Sequence, residues 1–159
     1  MTTEQSSLVG DREIVIDRIV DAPRELVWRA WTQLEHLESW WGPDGFTTTT
    51  HEFDVRPGGV WRFIMHGPDG TDYNNRVTFR ELAPPERLAY VHDDDGEGAI
   101  GEFNSTVTFE DLGDKTRVTM RSQFASKAER DRVVEEFGAI EGGKQTLARL
   151  AEYVAGMAE

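Results

Sequence analysis

Hydrophobic positions in this chain change their period three times, and the changes divide it into four parts. Glu13-Ile-Val-Ile-Asp-Arg-Ile-Val20 is rich in β-branched residues and predicts a first strand. Behind Asp21-Ala-Pro23, Leu26, Val27, Ala30, Trp31 and Leu34 recur at helical spacing. Asp21 or Ala22 can cap that helix, and Pro23 suits its first turn. A second short helical piece over 34–41 stops at Gly42-Pro43. From Phe46 the pattern alternates, and strands are predicted over 47–55, 60–66, 72–82, 87–92, 102–110 and 115–124. Hairpin-length turns such as Gly67-Pro68-Asp69-Gly70 join them, so they run antiparallel.

Helical spacing then returns. Ser126-Lys-Ala-Glu129 is a capping box, and Gly138 should break or kink the helix that follows. In the last helix Ile140, Leu147, Leu150, Ala151 and Val154 share one face, while Glu141, Lys144, Gln145, Arg149 and Glu152 take the other. A helix with one broad apolar face must lay it on the strands upstream. The expectation is an α+β fold of about seven antiparallel strands, with two short helices between the first and second. Residues 1–11 are expected as a flexible tail and 12–158 as a single domain.

Strand alternation also says which polar residues face inward. His51 shares its side with Phe53 and Val55; Trp61, Phe63 and Met65 share theirs. Tyr73 and Asn75 go with Val77 and Phe79, Tyr90 and His92 with Leu88, and Ser105 with Phe103, Val107 and Phe109. Val118, Met120, Ser122 and Phe124 lie together on the last strand. Thr48, Glu52, Arg62, Arg76, Arg80, Arg117 and Arg121 are expected on the solvated side. Apolar walls with dispersed hydrogen-bonding groups are the make-up of a small-molecule cavity. Its candidate lining is Trp40, Trp41, His51, Phe53, Trp61, Phe63, Met65, Tyr73, Asn75, Tyr90, His92, Ser105, Met120, Ile140, Gly143 and Leu147. Each has a plainer explanation as core packing: a lone inward His is more often a satisfied core residue, and a Tyr can bury its ring with the hydroxyl at the rim. Trp40 and Trp41, before Gly-Pro, serve as core anchors or as a lid, and as exposed aromatics they would suit a homodimer. Trp28 and Trp31 are assigned to packing, Asp54 and Arg56 to holding the Pro57-Gly58-Gly59 turn.

Composition narrows the partners. With 17 Lys and Arg against 30 Asp and Glu, the net charge of −13 repels phosphate backbones and anionic membranes. Cysteine is absent, which removes disulfides, thiolate catalysis and Cys-ligated metal. His36, His51, His66 and His92 lack the close pairings of a zinc site. The loop Asp93-Asp-Asp-Gly-Glu-Gly98 fails as a calcium loop because its first ligand position is Val91 and strands flank it. No nucleophile elbow, phosphate loop or dinucleotide fingerprint occurs, so no cofactor, metal or catalytic residue is assigned. The polar first ten residues and the want of a long apolar run lead us to expect no signal peptide, no membrane insertion and a cytoplasmic location.

Ala22-Pro-Arg-Glu-Leu-Val-Trp-Arg-Ala-Trp-Thr32, Trp40-Trp-Gly-Pro43, Asp54-Val-Arg-Pro-Gly-Gly-Val-Trp-Arg-Phe63, Gly67-Pro-Asp-Gly70, Pro85-Glu-Arg-Leu88 and Leu147-Ala-Arg-Leu150 follow one another in a recognisable order. In these the chain resembles the helix-grip superfamily of START domains and birch-pollen-allergen-like proteins (SRPBCC). Within it the likeness is to the branch named after the activator of heat-shock-protein-90 ATPase, in its bacterial single-domain form. The resemblance implies a curved sheet gripping the last helix and a non-catalytic cavity for a small hydrophobic or aromatic molecule, in a carrier, sensor or sequestering protein. It also brings two alternatives, a polyketide-cyclase-like or hydrolytic enzyme using an inward His with Tyr, and a chaperone partner. One departure stands out: where the family often carries Gly-Trp early in the last helix, this chain has Gly142-Gly143. Two helical glycines cost about 1 kcal/mol each relative to Ala, so a kink, a close helix–sheet contact or extra cavity room is expected there.

Overall fold

The computed structural model describes residues 8–9, 12–94 and 102–157. Among these, eight strands form one antiparallel sheet: β1 (Leu8–Val9), β2 (Glu13–Val20), β3 (Thr47–Phe53), β4 (Val60–His66), β5 (Asp72–Ala83), β6 (Arg87–Asp93), β7 (Phe103–Asp111) and β8 (Thr116–Gln123). The helices are α1 (Arg24–Thr32), α2 (Leu34–Trp40), α3 (Lys127–Phe137) and α4 (Ala139–Met157). All seven expected strands form, and Leu8–Val9 adds a short eighth by pairing with Glu13 and Ile14. The sheet order β1-β2-β8-β7-β6-β5-β4-β3 sets β2 and β3 far apart. The chain between them must therefore cross the sheet, and α1 and α2 make the crossing. Helix α4 then packs on β2, α1 and α2, completing a helix-grip arrangement.

Local chemistry sets the helix ends. Ser126 Oγ accepts from the Glu129 N–H at 3.1 Å, as the capping box predicts. Gly138 closes α3 in the left-handed region (φ 61°), so α4 starts afresh at Ala139 in a new direction. Pro23 is the residue before α1 rather than part of its first turn, and no side chain caps that helix.

Two β-bulges revise the inward and outward assignments. In β3 the register shifts between Thr50 and Glu52, leaving His51 as the extra residue, and in β5 between Phe79 and Glu81. An inserted residue reverses the alternation on one side of it. Thr48 and Thr50 therefore pair with Met65 and Phe63 on the inner side, and Thr50 Oγ1 accepts from Trp61 Nε1 at 3.0 Å. Thr48, expected on the solvated side, has its hydroxyl buried without a partner. His51, expected inside, is exposed. Beyond the second bulge Leu82 joins the core, where simple alternation from Phe79 would have chosen Glu81.

One end of the inner space is solid with aromatic rings. Trp31 meets Trp40, Trp41 and Phe109 edge-on at centroid distances of 4.9, 5.9 and 5.9 Å, and Trp61 stacks on Phe63 at 3.8 Å. Trp40 donates from Nε1 to the Ala30 carbonyl at 2.9 Å. Trp40 and Trp41 are 1% and 6% exposed, so neither offers the exposed surface that a homodimer through them would require. Trp28 packs on Phe109 and Trp31 is buried, as assigned from the sequence.

Helix α4 reaches the sheet most closely at Gly143. A Cβ there would lie 2.4 Å from Ile16 Cδ1 of β2, well inside contact distance. The second helical glycine thus lets the helix backbone approach the strand. Gly143→Ala therefore sets alanine's better helix propensity, about 1 kcal/mol, against turning aside Ile16 Cδ1, the movable end of a side chain beside open space, and should change stability by less than about 1 kcal/mol. Ile16→Val removes the obstructing methyl, so Gly143→Ala should be more favourable in that background than in the parent by denaturant unfolding; a purely additive pair would refute the contact.

Candidate functional site

Away from the aromatic block, the space between sheet and helix is not filled. A cavity of about 180 Å³ lies between Ile14 and Ile16 of β2, Met65 of β4, Tyr90 and His92 of β6, Phe103 of β7, Met120 and Ser122 of β8, and Ala139, Gly143 and Thr146 of α4. Trp41, Gly42 and Pro43 close it from the loop after α2, and Phe124 from the end of β8. A second chamber of about 160 Å³ shares His92, Phe103, Phe124 and Ala139 with the first and adds Asn75, Asp93, Asp94 and Val133. Ala139, Gly143 and Thr146 are four and three residues apart, so they form one stripe of small side chains along α4. Leu147, Leu150 and Val154 form the adjacent stripe and are fully buried. The cavity lies against the small stripe, where helix and sheet supply too little side-chain volume to meet.

Six residues expected to line the cavity do so: Trp41, Met65, Tyr90, His92, Met120 and Gly143. Asn75 lines the second chamber. Trp40, Trp61, Phe63 and Leu147 are buried in the core instead, and Phe53 and Ile140 pack against it. Ser105 is buried just behind the wall, its hydroxyl 3.1 Å from that of Ser122. Tyr73 lies near the β4–β5 hairpin, tilted against Phe46 and 39% exposed, because the strand there has run past the helix. His51 is excluded by the bulge. Ile14, Ile16, Gly42, Pro43, Ala139 and Thr146 were not anticipated, although the alternation of Ile14 with Ile16 and the 139–143–146 spacing carry that signal in the sequence.

His92 is the polar centre. Its Nε2 lies 2.8 Å from Asn75 Oδ1, and its ring is tilted at 4.9 Å against Phe103 and 6.0 Å from Phe63. Burial lowers its pKa to about 4, although Asp93 and Asp94 pull the other way. Tyr90 is pushed up to about 12 by burial, with the Ser105 hydroxyl opposing the shift. Tyr90, Ser105 and Ser122 stand directly opposite one another on β6, β7 and β8, making one polar row across an otherwise apolar wall. Near neutral pH both groups are uncharged.

The loop over the cavity is fastened from α4. Arg149 Nη1 lies 2.8 Å from the Gly42 carbonyl, 3.0 Å from Pro43, 3.3 Å from Trp41 and 3.4 Å from Phe46. Arg149 was placed on the solvated side of α4 by its sequence; here it is half-buried and holds the backbone of the loop. The Asp44 N–H adds a bond to Gln145 Oε1 at 3.1 Å.

The other histidines sit outside this site. His36 Nδ1 is 2.7 Å from the Tyr153 hydroxyl, beside an open cleft between α2 and α4 with a mixed polar lining. His66 bridges Thr49 and Asp72 on the outer face of the sheet. Among the described residues no three His, Cys, Asp or Glu side chains stand close enough to hold a metal ion. Asp95 and Gly96 of the acidic loop, weighed as a calcium site, lie outside the described residues. Arg56 pairs with Asp54 at 2.6 Å, which fits the turn-holding role. No described helix is long and apolar enough to cross a membrane.

A family model described as "Activator of Hsp90 ATPase homolog 1-like protein" matches residues 21–155. Among solved structures, an Arthrobacter aurescens protein is 27% identical, over 92% of this chain and 87% of that one, with a TM-score of 0.85. A Nitrosomonas europaea protein is 24% identical over 94% and 98% of the two chains, with a TM-score of 0.82. CalU16 of Micromonospora echinospora is 20% identical over 89% and 75%, with a TM-score of 0.62. The last two likenesses establish the fold alone. No curated protein matches the chain.

Two expectations follow. The folded His92 binds its proton less tightly than the unfolded one, so its contribution to stability is complete above about pH 6.5 and is lost as the pH falls toward 4. Between pH 7 and 5 the parent should lose about 2 kcal/mol more than His92→Gln in urea titrations, and parallel losses would contradict it. Arg149→Ala should cost about 2 kcal/mol, since hydrogen bonds from a charged donor are lost. Amide exchange at Gly42, Asp44 and Phe46 should accelerate beyond that of the β2–β8 ladder.

Proposed function

The chain belongs to the activator of Hsp90 ATPase homolog 1-like family, and from that premise we propose that it binds a small hydrophobic or aromatic molecule between sheet and α4, without transforming it. The observation that carries this reading is the apolar cavity itself. Its walls come from five strands and α4, and few of its lining groups are polar. An apolar hole lowers stability unless something fills it, because the atoms around it forgo dispersion contacts. At about 180 Å³, with about 160 Å³ more adjoining, the space suits one or two rings or a short branched chain. A cavity of about 150 Å³ lined by aliphatic and aromatic groups is enough to take up benzene.

An enzymatic reading would draw on His92 and Tyr90, the titratable pair on the cavity wall. A general base works best with a pKa near the operating pH, and His92 is depressed to about 4 while Tyr90 is raised to about 12. Both shifts move the pair away from proton transfer at neutral pH, which favours orientation of a ligand over chemistry on it. The family's description also raises a chaperone contact, but no feature of the described surface favours that reading. Carrier, sensor and sequestering roles share this binding step.

Thermal denaturation with a panel of small aromatic and branched aliphatic compounds tests the proposal. A true ligand at a hundred times its Kd should stabilise the protein by about 2.7 kcal/mol, a rise of several degrees in Tm. Ala139→Trp, which places an indole in the space shared by both chambers, should abolish the shift while leaving the far-ultraviolet circular dichroism unchanged. No shift with any compound, together with failure of Ala139→Trp to fold because no space receives the indole, would sink the reading.

A further inference from the structure

The two ring nitrogens of His92 are not equivalent, and the difference specifies what the cavity can accept. Asn75 Nδ2 donates to the Tyr73 carbonyl at 3.0 Å, which orients the amide and turns Oδ1 toward His92. A carbonyl oxygen only accepts, so the 2.8 Å contact requires the proton on His92 Nε2. In the neutral ring Nδ1 then carries a lone pair, and among the described residues no donor is supplied to it. A ligand donor that reaches this lone pair gains a hydrogen bond. His92 also lines both chambers, so a ligand in either lies beside it.

The charges nearby act on the same choice. Asp93 and Asp94 line the second chamber and exert a negative field on the imidazole. Asp93 is paired with Arg76 at 2.8 Å, and Asp94 is buried in the wall. The first turn of α4 reaches this chamber at Ala139 and offers a partial positive charge of about half a unit. The field that Asp93 and Asp94 exert on the imidazole is negative all the same, and the whole chain carries a net charge of −13. A ligand carboxylate would also bring two more acceptors to a site whose free group is already an acceptor.

We infer that the cavity selects an uncharged aromatic molecule carrying an O–H or N–H donor, and that His92 Nδ1 accepts from that donor. This rests on the cavity being a ligand site, as proposed above. His92 is thereby a specificity-determining residue: hydrophobic burial supplies the affinity, and Nδ1 distinguishes a donor from a bare hydrocarbon or an anion.

Three bicyclic probes of nearly one shape separate the possibilities at neutral pH: naphthalene, 2-naphthol and 2-naphthoate, titrated calorimetrically into the full chain. One hydrogen bond of ordinary strength predicts that 2-naphthol binds roughly five- to tenfold more tightly than naphthalene. The carboxylate should bind more weakly than either. His92→Phe keeps a ring in place but removes the acceptor, and should bring the ratio of naphthol to naphthalene affinity down to about one. Should that variant not fold, ¹⁵N-histidine spectra of the parent give the same answer: the Nδ1 resonance should move upfield on adding 2-naphthol and stay put with naphthalene. Naphthalene binding as tightly as 2-naphthol, tighter binding of the carboxylate, or an unmoved Nδ1 resonance would each overturn the inference while leaving the cavity as a binding site. If none of the three binds, the cavity reading falls with it.

Discussion

Helix α4 rests its backbone directly on a strand side chain at Gly143, and much of the molecule is arranged around that contact. Gly143 sits over Ile16 so closely that a single added carbon would collide with it. A helix pinned there by its backbone presents its neighbouring residues to the inner space at fixed height. The large ones, Leu147, Leu150 and Val154, fill their share of it. The small ones, Ala139, Gly143 and Thr146, do not, and the unfilled remainder is the cavity. Rigid aromatic packing at the other end, around Trp31, Trp41, Trp61 and Phe63, keeps the sheet from collapsing inward to close it. An apolar void is thereby maintained at a stability cost that a bound molecule can offset.

Polar groups in the cavity are few and held neutral. Burial drives His92 and Tyr90 in opposite directions in pKa, yet both shifts favour the uncharged form, because neither ion finds enough compensation in an apolar wall. The amide of Asn75 commits one nitrogen of His92, while Ser105 and Ser122 satisfy each other across β7 and β8. Such an interior offers hydrogen-bond direction rather than charge. The charged residues of this acidic chain are spent largely on the outer face, in cross-strand pairs such as Arg62 with Glu52 and Arg117 with Asp17, which are exposed and individually weak.

Access to the cavity depends on a different part of α4. Arg149 gathers the carbonyls of Trp41, Gly42, Pro43 and Phe46, which belong to the loop that closes the cavity. The same helix therefore supplies the floor of the cavity at Gly143 and the fastening of its cover at Arg149. Loop and helix are about a hundred residues apart in sequence, so the cover forms only once the helix is seated.

Much of this was determined by the sequence alone. Periodicity, capping residues and turn chemistry are properties of neighbouring residues, and they specified the helices, the seven longer strands, their antiparallel connection and the close contact offered as one account of Gly142-Gly143. The inward residues of β4, β6 and β8 were legible because those strands alternate without interruption, which is how Met65, Tyr90, His92 and Met120 could be assigned to one face. Tertiary structure decided the rest. A bulge exists only relative to a partner strand, so nothing in Thr50-His51-Glu52 discloses that His51 is the residue pushed out. A cavity is likewise a mismatch of volumes between segments remote in the chain: Ala139 and Thr146 look unremarkable until Ile14, Ile16 and Phe103 fail to reach them. Arg149 reads as a solvated charge by spacing, and becomes a clamp only because the loop carbonyls fold back within its reach.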